Sequence, residues 1–373
     1  MGSYALRTFY KSHDAALFND ESVFIYGKDV EFNSNLYVSK FNNGGWNSIP
    51  LKMPDGHLYS RTSVFVKDYH DAASHVIFTS RDKDDNDIVF ITKIGQDGEG
   101  ITLSDAKSLE FISNMSIVRA SATWLNGMIF ISLVDKNTQG AYTVVLDSET
   151  YEQLSPVTLI GETLSSRYFD EMLDQMTGAI AQFSDDNHGC FLQLCNDSEN
   201  ISVFKLTFEA DGRLSCFRLF VITERDIGAF AGLYDKDKSV LITCYCQFNS
   251  RSKNWNVNGV VNKVFSRTGV EQDVPYAALP LNSSPGIYYR PQVTRAESGY
   301  AVSWEGAETL HFKQFNEHIN ATSPETYYHA DKPGNHRMAY IYGKYFVGYQ
   351  NDCSEPRFVG LEYKNDEIKS VEN

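Results

Sequence analysis

The amino-acid sequence predicts an all-β chain folded as a single seven-bladed β-propeller of four-stranded antiparallel blades. Three observations predict it. The apolar runs are short, rich in Val, Ile, Phe and Tyr, and split by Gly, Asn and Asp clusters, which is the texture of strands and turns. A four-strand pattern recurs at roughly 50-residue intervals along nearly the whole chain, the period of propeller blades. An arginine returns once in every unit at the same place in the pattern.

Each unit reads as a strand, a short turn, an apolar strand, a polar loop, an alternating strand and a weaker polar strand. The predicted blades cover residues 4–53, 57–112, 115–162, 165–223, 224–281, 286–330 and 335–373. In the third unit the strands are Ile117–Leu125, Met128–Val134, Ala141–Leu146 and Gln153–Leu159. In the sixth they are Arg290–Arg295, Tyr300–Trp304, Leu310–Phe315 and the Asn320–Glu325 region. Ser165–Met176 carries helix-favouring residues but stands where the repeat elsewhere places a strand. A length of 373 residues would ordinarily suggest two or three domains. A propeller is one domain, because its core is divided among blades. The seventh unit is complete at Glu367–Val371, so ring closure is expected from side-chain packing between the first and last blades.

Composition narrows the partners. Asp plus Glu is 48 and Lys plus Arg is 33, a net charge of -15. That argues against nucleic acid and against an anionic membrane surface, both of which need a basic footprint. No apolar run approaches the roughly 18 residues of a membrane span. The stretch Met1–Arg7 has no signal-peptide core, and the compartment stays open. The six cysteines show no paired metal spacing and read as small buried hydrophobes. The run Arg81–Asp87 spaces oxygen groups as calcium loops do but lacks their Gly and distal Glu, and reads as a solvated turn. No metal and no cofactor is expected, since no phosphate loop, dinucleotide fingerprint or nucleophile elbow is present.

The pattern that carries chemistry is charged. Seven of the fourteen arginines open the first strand of a unit: Arg7, Arg61, Arg119, Arg167, Arg225, Arg290 and Arg337. A second series closes the second strand: Asp29, Asp82, Asp135, Asp185, Glu305 and Asp352, with Asn249 in the fifth unit. First and second strands are antiparallel, so each Arg is expected beside an acid, near the central channel. Two readings stand. In one, Arg–carboxylate pairs staple the innermost strands. In the other, guanidinium groups form a funnel for a small anionic or hydroxyl-rich ligand. The polar stretch Gln247–Gly259, with Arg251, Lys253 and Trp255, reads as a long loop on the same face.

The segment Gly299–Phe315 resembles the strand pairs of bacterial surface-protein propellers. One Arg and one acid per blade is similar to the fungal and bacterial propeller lectins, which use Arg, Glu and Trp once per blade. That resemblance implies a carbohydrate ligand held by the Arg and acid series together with an aromatic such as Trp255. This chain departs from it in Trp, which stands at 46, 124, 255 and 304 and not once per blade. Propeller lyases of uronate polymers offer an alternative. There an Arg neutralises the sugar carboxylate and a His or Tyr takes the α-proton. His57, Tyr59, His188, Tyr289 and His336 are the acid–base candidates for that chemistry. Successive strand residues face opposite sides, so Tyr289–Arg290 and His336–Arg337 are expected to diverge. A protein-interaction scaffold is the third reading.

Overall fold

The computed structural model describes residues 13–19, 21–28, 35–42, 45–51, 53–54, 57–82, 87–97, 100–112, 115–135, 137–162, 180–184, 189–195, 200–224, 226–265, 269–270, 279–283, 286, 289–316, 318, 320–331, 333–350, 356–364 and 367–370. The stretch Ser165–Met176, with its helix-favouring residues, lies outside them.

The described residues form antiparallel meanders. The first sheet is β1 (His13–Phe18), β2 (Glu21–Lys28), β3 (Asn35–Asn42) and β4 (Gly45–Leu51). The second holds β5 (Leu58–Lys67), β6 (Ala73–Arg81), β7 (Asp87–Asp97), β8 (Gly100–Leu103) and β9 (Lys107–Ser108), followed by a 3-10 turn at Glu110–Ile112. It continues with β10 (Ile117–Leu125), β11 (Met128–Asp135), β12 (Gly140–Asp147) and β13 (Thr158–Glu162), so its order is β13-β12-β11-β10-β5-β6-β7-β8 with β9 on β7. The third sheet is β14 (Ile180–Ser184), β15 (Gly189–Cys195), β16 (Asn200–Phe208) and β17 (Leu214–Thr223). The fourth is β18 (Ile227–Asp235), β19 (Val240–Asn249) and β20 (Asn254–Phe265), which carries β21 (Gly269–Val270) and β22 (Leu279–Pro280). The fifth is β23 (Tyr289–Ala296), β24 (Gly299–Glu305), β25 (Thr309–Phe315) and β26 (Thr326–His329). The sixth is β27 (Gly334–Ile341), β28 (Lys344–Gln350), β29 (Pro356–Lys364) and β30 (Glu367–Ser370).

The nine-stranded second sheet is two meanders joined by a short parallel link, Ala122 to Val66 and Thr123 to Lys67. Around the molecule, β1, β5, β10, β14, β18, β23 and β27 touch one another in that order, and β27 touches β1. These first strands line the centre, and each meander runs outward from them.

The core lies between sheets. Along β11 the odd residues Ile129, Ile131 and Leu133 pack on Val66, Ile77 and Ile91 of the preceding meander. Phe130 packs the other way, on Leu192 and Leu206 of the third sheet. Middle strands are thus buried on both faces, so Met128–Leu133 reads as a continuous apolar run where a half-exposed strand would alternate. Outermost strands are freer: Phe217 on β17 is 67% exposed.

Two details differ from the sequence reading. Gln247–Gly259 is no loop: β19 and β20 pair without interruption from Val240 with Lys263 to Asn249 with Asn254, leaving a tight turn at 250–253 capped by Asn249 Oδ1. The last strand of the fifth sheet begins at Thr326 rather than near Asn320. The Asn316 side chain there turns the chain by accepting from the His318 and Asn320 amides.

Closure of the ring is aromatic. Phe358 of β29 packs on Trp46 (4.8 Å), Tyr26 (5.4 Å) and Phe24 (5.5 Å) of the first sheet. Gly348 permits the approach: a Cβ there would stand 2.9 Å from Phe24 and 3.1 Å from Phe358. Phe358→Ala should cost about 3 kcal/mol in urea unfolding, as large-to-small core changes do. Gly348→Ala should also destabilise the chain, and a midpoint unchanged in both variants would contradict the packing.

Candidate functional site

The site grows from an irregularity at the start of the first strands. The pairing with the second strand slips between Tyr59 and Ser63, Ile117 and Arg119, Ile227 and Phe230, Tyr289 and Gln292, and Gly334 and Arg337. Bulges of this kind break the strict alternation of side chains and re-aim them. Arg61, Arg119, Arg290 and Arg337 all fall within or beside these slips. Arg290 has φ 44°, a left-handed backbone that a regular strand would not give it.

The polar centre of the site is where the fifth and sixth sheets meet. Arg290 Nη1 donates to Glu305 Oε2 at 3.0 Å. The other Glu305 oxygen, Oε1, accepts from the His336 backbone amide at 2.8 Å and lies 3.0 Å from His336 Nδ1. His336 Nε2 is 2.8 Å from Ser303 Oγ. The carboxylate accepts from Nδ1–H, so a neutral imidazole donates to Glu305 and accepts from the Ser303 hydroxyl through Nε2. Ser303 and Glu305 share one face of β24 because they are two residues apart, and His336 bridges both from the neighbouring sheet.

Electrostatics follow from the geometry. Burial raises the Glu305 carboxyl, but Arg290 and the His336 hydrogen bonds outweigh it and hold the group below its usual range. Burial, reinforced by Arg337 and Arg290, lowers His336 in spite of Glu305. The order Ser303–His336–Glu305 is that of a nucleophile relay. All three are sealed, at 0%, 0% and 2% exposure, and no substrate carbonyl reaches the hydroxyl. The cluster is a staple between sheets.

Arg337 behaves differently. Nη1 donates to the carbonyl of His336 at 2.9 Å, and no carboxylate among the described residues lies within ion-pair distance of it. Burial lowers its pKa; Asp14 on one neighbouring strand opposes this, while Arg290 on the other adds to it. A half-buried guanidinium that feels both flanking first strands stands at the channel wall. Deeper in, Asp14 accepts from the Phe65 amide (3.0 Å) and Lys67 Nζ (2.7 Å), tying β1 to β5.

The other predicted positions are distributed as follows. Arg7, Asp29, Arg167, Asp185, His188, Arg225 and Asp352 lie outside the described residues. Arg61 and Tyr289 lie in described backbone at strand starts. The residues paired at the near side of these slips are Ser80, Asp135, Gln247, Glu305 and Gln350. A carboxylate therefore stands there in only two of the five, and Asp82 follows its strand. Asn249 belongs to the hairpin turn instead. In the fourth sheet Gln247 donates to Glu224 at 3.1 Å, so the acid comes from the entering loop. Asp135 accepts from the Ser116 amide and from the Thr138 amide and hydroxyl.

Tyr59 is 1% exposed in the core, with its hydroxyl 3.3 Å from Ser63 Oγ, and so cannot meet a substrate. His57 packs edge-on against Phe90 at 5.3 Å. Trp255 packs on Gly228, where a Cβ would come within 2.8 Å of the indole. Sequence reasoning missed Ser303, Asp14 and Lys67; only the two-residue spacing of Ser303 and Glu305 hinted at a shared face. Among the described residues no group of His, Cys, Asp and Glu could hold a metal, and no helix is long and apolar enough to cross a membrane.

Two outcomes test the staple. Glu305→Gln leaves Arg290 without its buried counter-charge and should cost about 3 kcal/mol, more than the double change Glu305→Leu with Arg290→Met. Acid should destabilise the fold in two steps. His336 and His75 both titrate below their ordinary 6.5 when folded, His75 near 4 because it is buried. The unfolded chain therefore takes up those protons first, and stability falls as pH drops below about 6.5. Glu305 adds a second loss below its ordinary 4.5. His336→Asn should flatten the first step in a melting-temperature profile; an unchanged slope would count against this assignment.

Solved structures place the fold. The chain resembles a puromycin hydrolase with TM-score 0.54 and 13% identity, over 99% of this chain and 54% of that one. It resembles the β-propeller domain of the trilobed protease from Pyrococcus furiosus with TM-score 0.51 and 8% identity, over 100% and 97%. It resembles a prolyl endopeptidase with TM-score 0.54 and 8% identity, over 98% and 49%. The chain spans about half the length of the hydrolase and the endopeptidase. Identities this low speak for the fold alone: this is a β-propeller. No protein-family model matches the chain, and no curated protein matches it.

Proposed function

We propose that this β-propeller has seven blades and binds an anionic, hydroxyl-rich ligand, an acidic carbohydrate, at the mouth of its central channel. Support for the count comes from the closed order of first strands and from the narrow parallel link that divides the nine-stranded sheet into two meanders.

One observation carries the ligand. Arg290 and Arg337 stand on adjacent first strands, with one carboxylate, Glu305, bonded to Arg290. Among the described residues Arg337 bonds the His336 carbonyl, and Asp14 and Glu305 balance it only at longer range. A guanidinium partly withdrawn from water and short of counter-charge gains from a carboxylate or sulfate, which its planar fork meets with two parallel bonds. Of the neighbouring carboxylates, the partly exposed Asp14 accepts from a sugar hydroxyl, while the sealed Glu305 serves to balance Arg290. This Arg-plus-acid arrangement is what the likeness to propeller lectins implies.

Titration calorimetry against neutral and acidic oligosaccharides tests the reading. Acidic members should bind, added salt should weaken them, and Arg337→Ala should lose about tenfold or more in affinity, the worth of a charged hydrogen bond. Absence of binding to every member of the panel would overturn it.

A further inference from the structure

We infer that the central channel is a blind pit, closed at the end away from Arg290 and Arg337, and that its ligand is a free small acid or the end of an acidic chain, not an internal stretch of polymer. The inference rests on the proposed binding at the channel mouth.

The stopper is the turn between β5 and β6. The first strands on either side of β5 in the ring are β1 and β10; β18 and β23 lie across the centre. The turn nevertheless reaches both. Lys236, at the end of β18, sits 4.5 Å above the Tyr69 ring. Thr294 on β23 places its hydroxyl 3.4 Å from Asp71 Oδ2. Asp71 also accepts from the Leu17 amide of β1 at 2.8 Å through its backbone carbonyl. A single turn thereby touches three other first strands or their ends, two of them on the far side.

The turn is built to hold that position. Asp68 Oδ1 accepts from the His70 amide (2.8 Å) and the Ala72 amide (2.9 Å). The Asp71 amide returns to the Asp68 carbonyl at 3.1 Å, with Asp71 at φ 62°. Around it the lower ends of the strands converge. Thr123 Oγ1 of β10 donates to the Lys67 carbonyl at 2.8 Å. Arg295 Nη2 of β23 donates to the Tyr234 carbonyl of β18 at 3.1 Å and lies 3.8 Å from Asp235. At the opposite end the bulges interrupt pairing around Arg290 and Arg337.

From Arg290 to Arg295 along β23 is roughly 16 Å of extended strand. That depth admits a terminal sugar or two and ends on the Asp68–Ala72 turn. A polymer cannot pass through, so its internal residues meet the mouth only sideways.

Stoichiometry decides the matter with the unaltered protein. The probes are short and long chains of polygalacturonate and of polysialic acid, their binding followed by calorimetry and sedimentation. End recognition predicts the same number of proteins per chain at every length, and per-chain affinity that does not grow with length. If the number bound rises in proportion to length, the blind pit is wrong while acidic-ligand binding stands. If neither short nor long forms of either polymer bind, the acidic-glycan reading fails and this inference falls with it.

Discussion

Every four-stranded sheet in this molecule has two apolar faces, and one neighbour buries only one of them. A ring is the arrangement in which each sheet has a neighbour on both sides and none is left as an end. Ile129, Ile131 and Leu133 on one face of β11 and Phe130 on the other express that demand within a single strand. The aromatic contact of Phe358 with Phe24 and Trp46 answers it for the first and last sheets.

The ring brings the first strands edge to edge around a narrow axis, and polar groups there are left to balance one another. Glu305 joins Arg290 to His336, and Asp14 joins Lys67 to the Phe65 amide. These contacts connect neighbouring sheets where apolar packing runs out. Ion pairs in such a position are worth more as devices of register than of stability, because desolvation offsets much of their attraction. Arg337 is the exception. Its bond is to its own neighbour's carbonyl, and among the described residues no carboxylate neutralises it at close range.

Much of the architecture was legible in the residues. The run Met128–Val134 names β11 to within a residue, and the antiparallel logic of adjacent strands anticipates Arg290 beside Glu305. The fate of His336 was not legible. Alternation sets it apart from Arg337, but nothing local shows that it enters the adjoining sheet and bridges Ser303 and Glu305. The series of acids was misaligned for a related reason. Pairing puts Gln247, and not Asn249, opposite a strand start, because β19 runs on into a longer hairpin.

The sequence by itself determined most of the strands and their grouping in fours, because hydrophobic periodicity and turn residues act over a few positions. Only the tertiary structure decided which charges meet. The bridge from Asp14 to Lys67 and the turn that carries Asp71 across to Thr294 depend on strands far apart in the chain. Contacts of that range are fixed by ring closure, and no local pattern of residues encodes them.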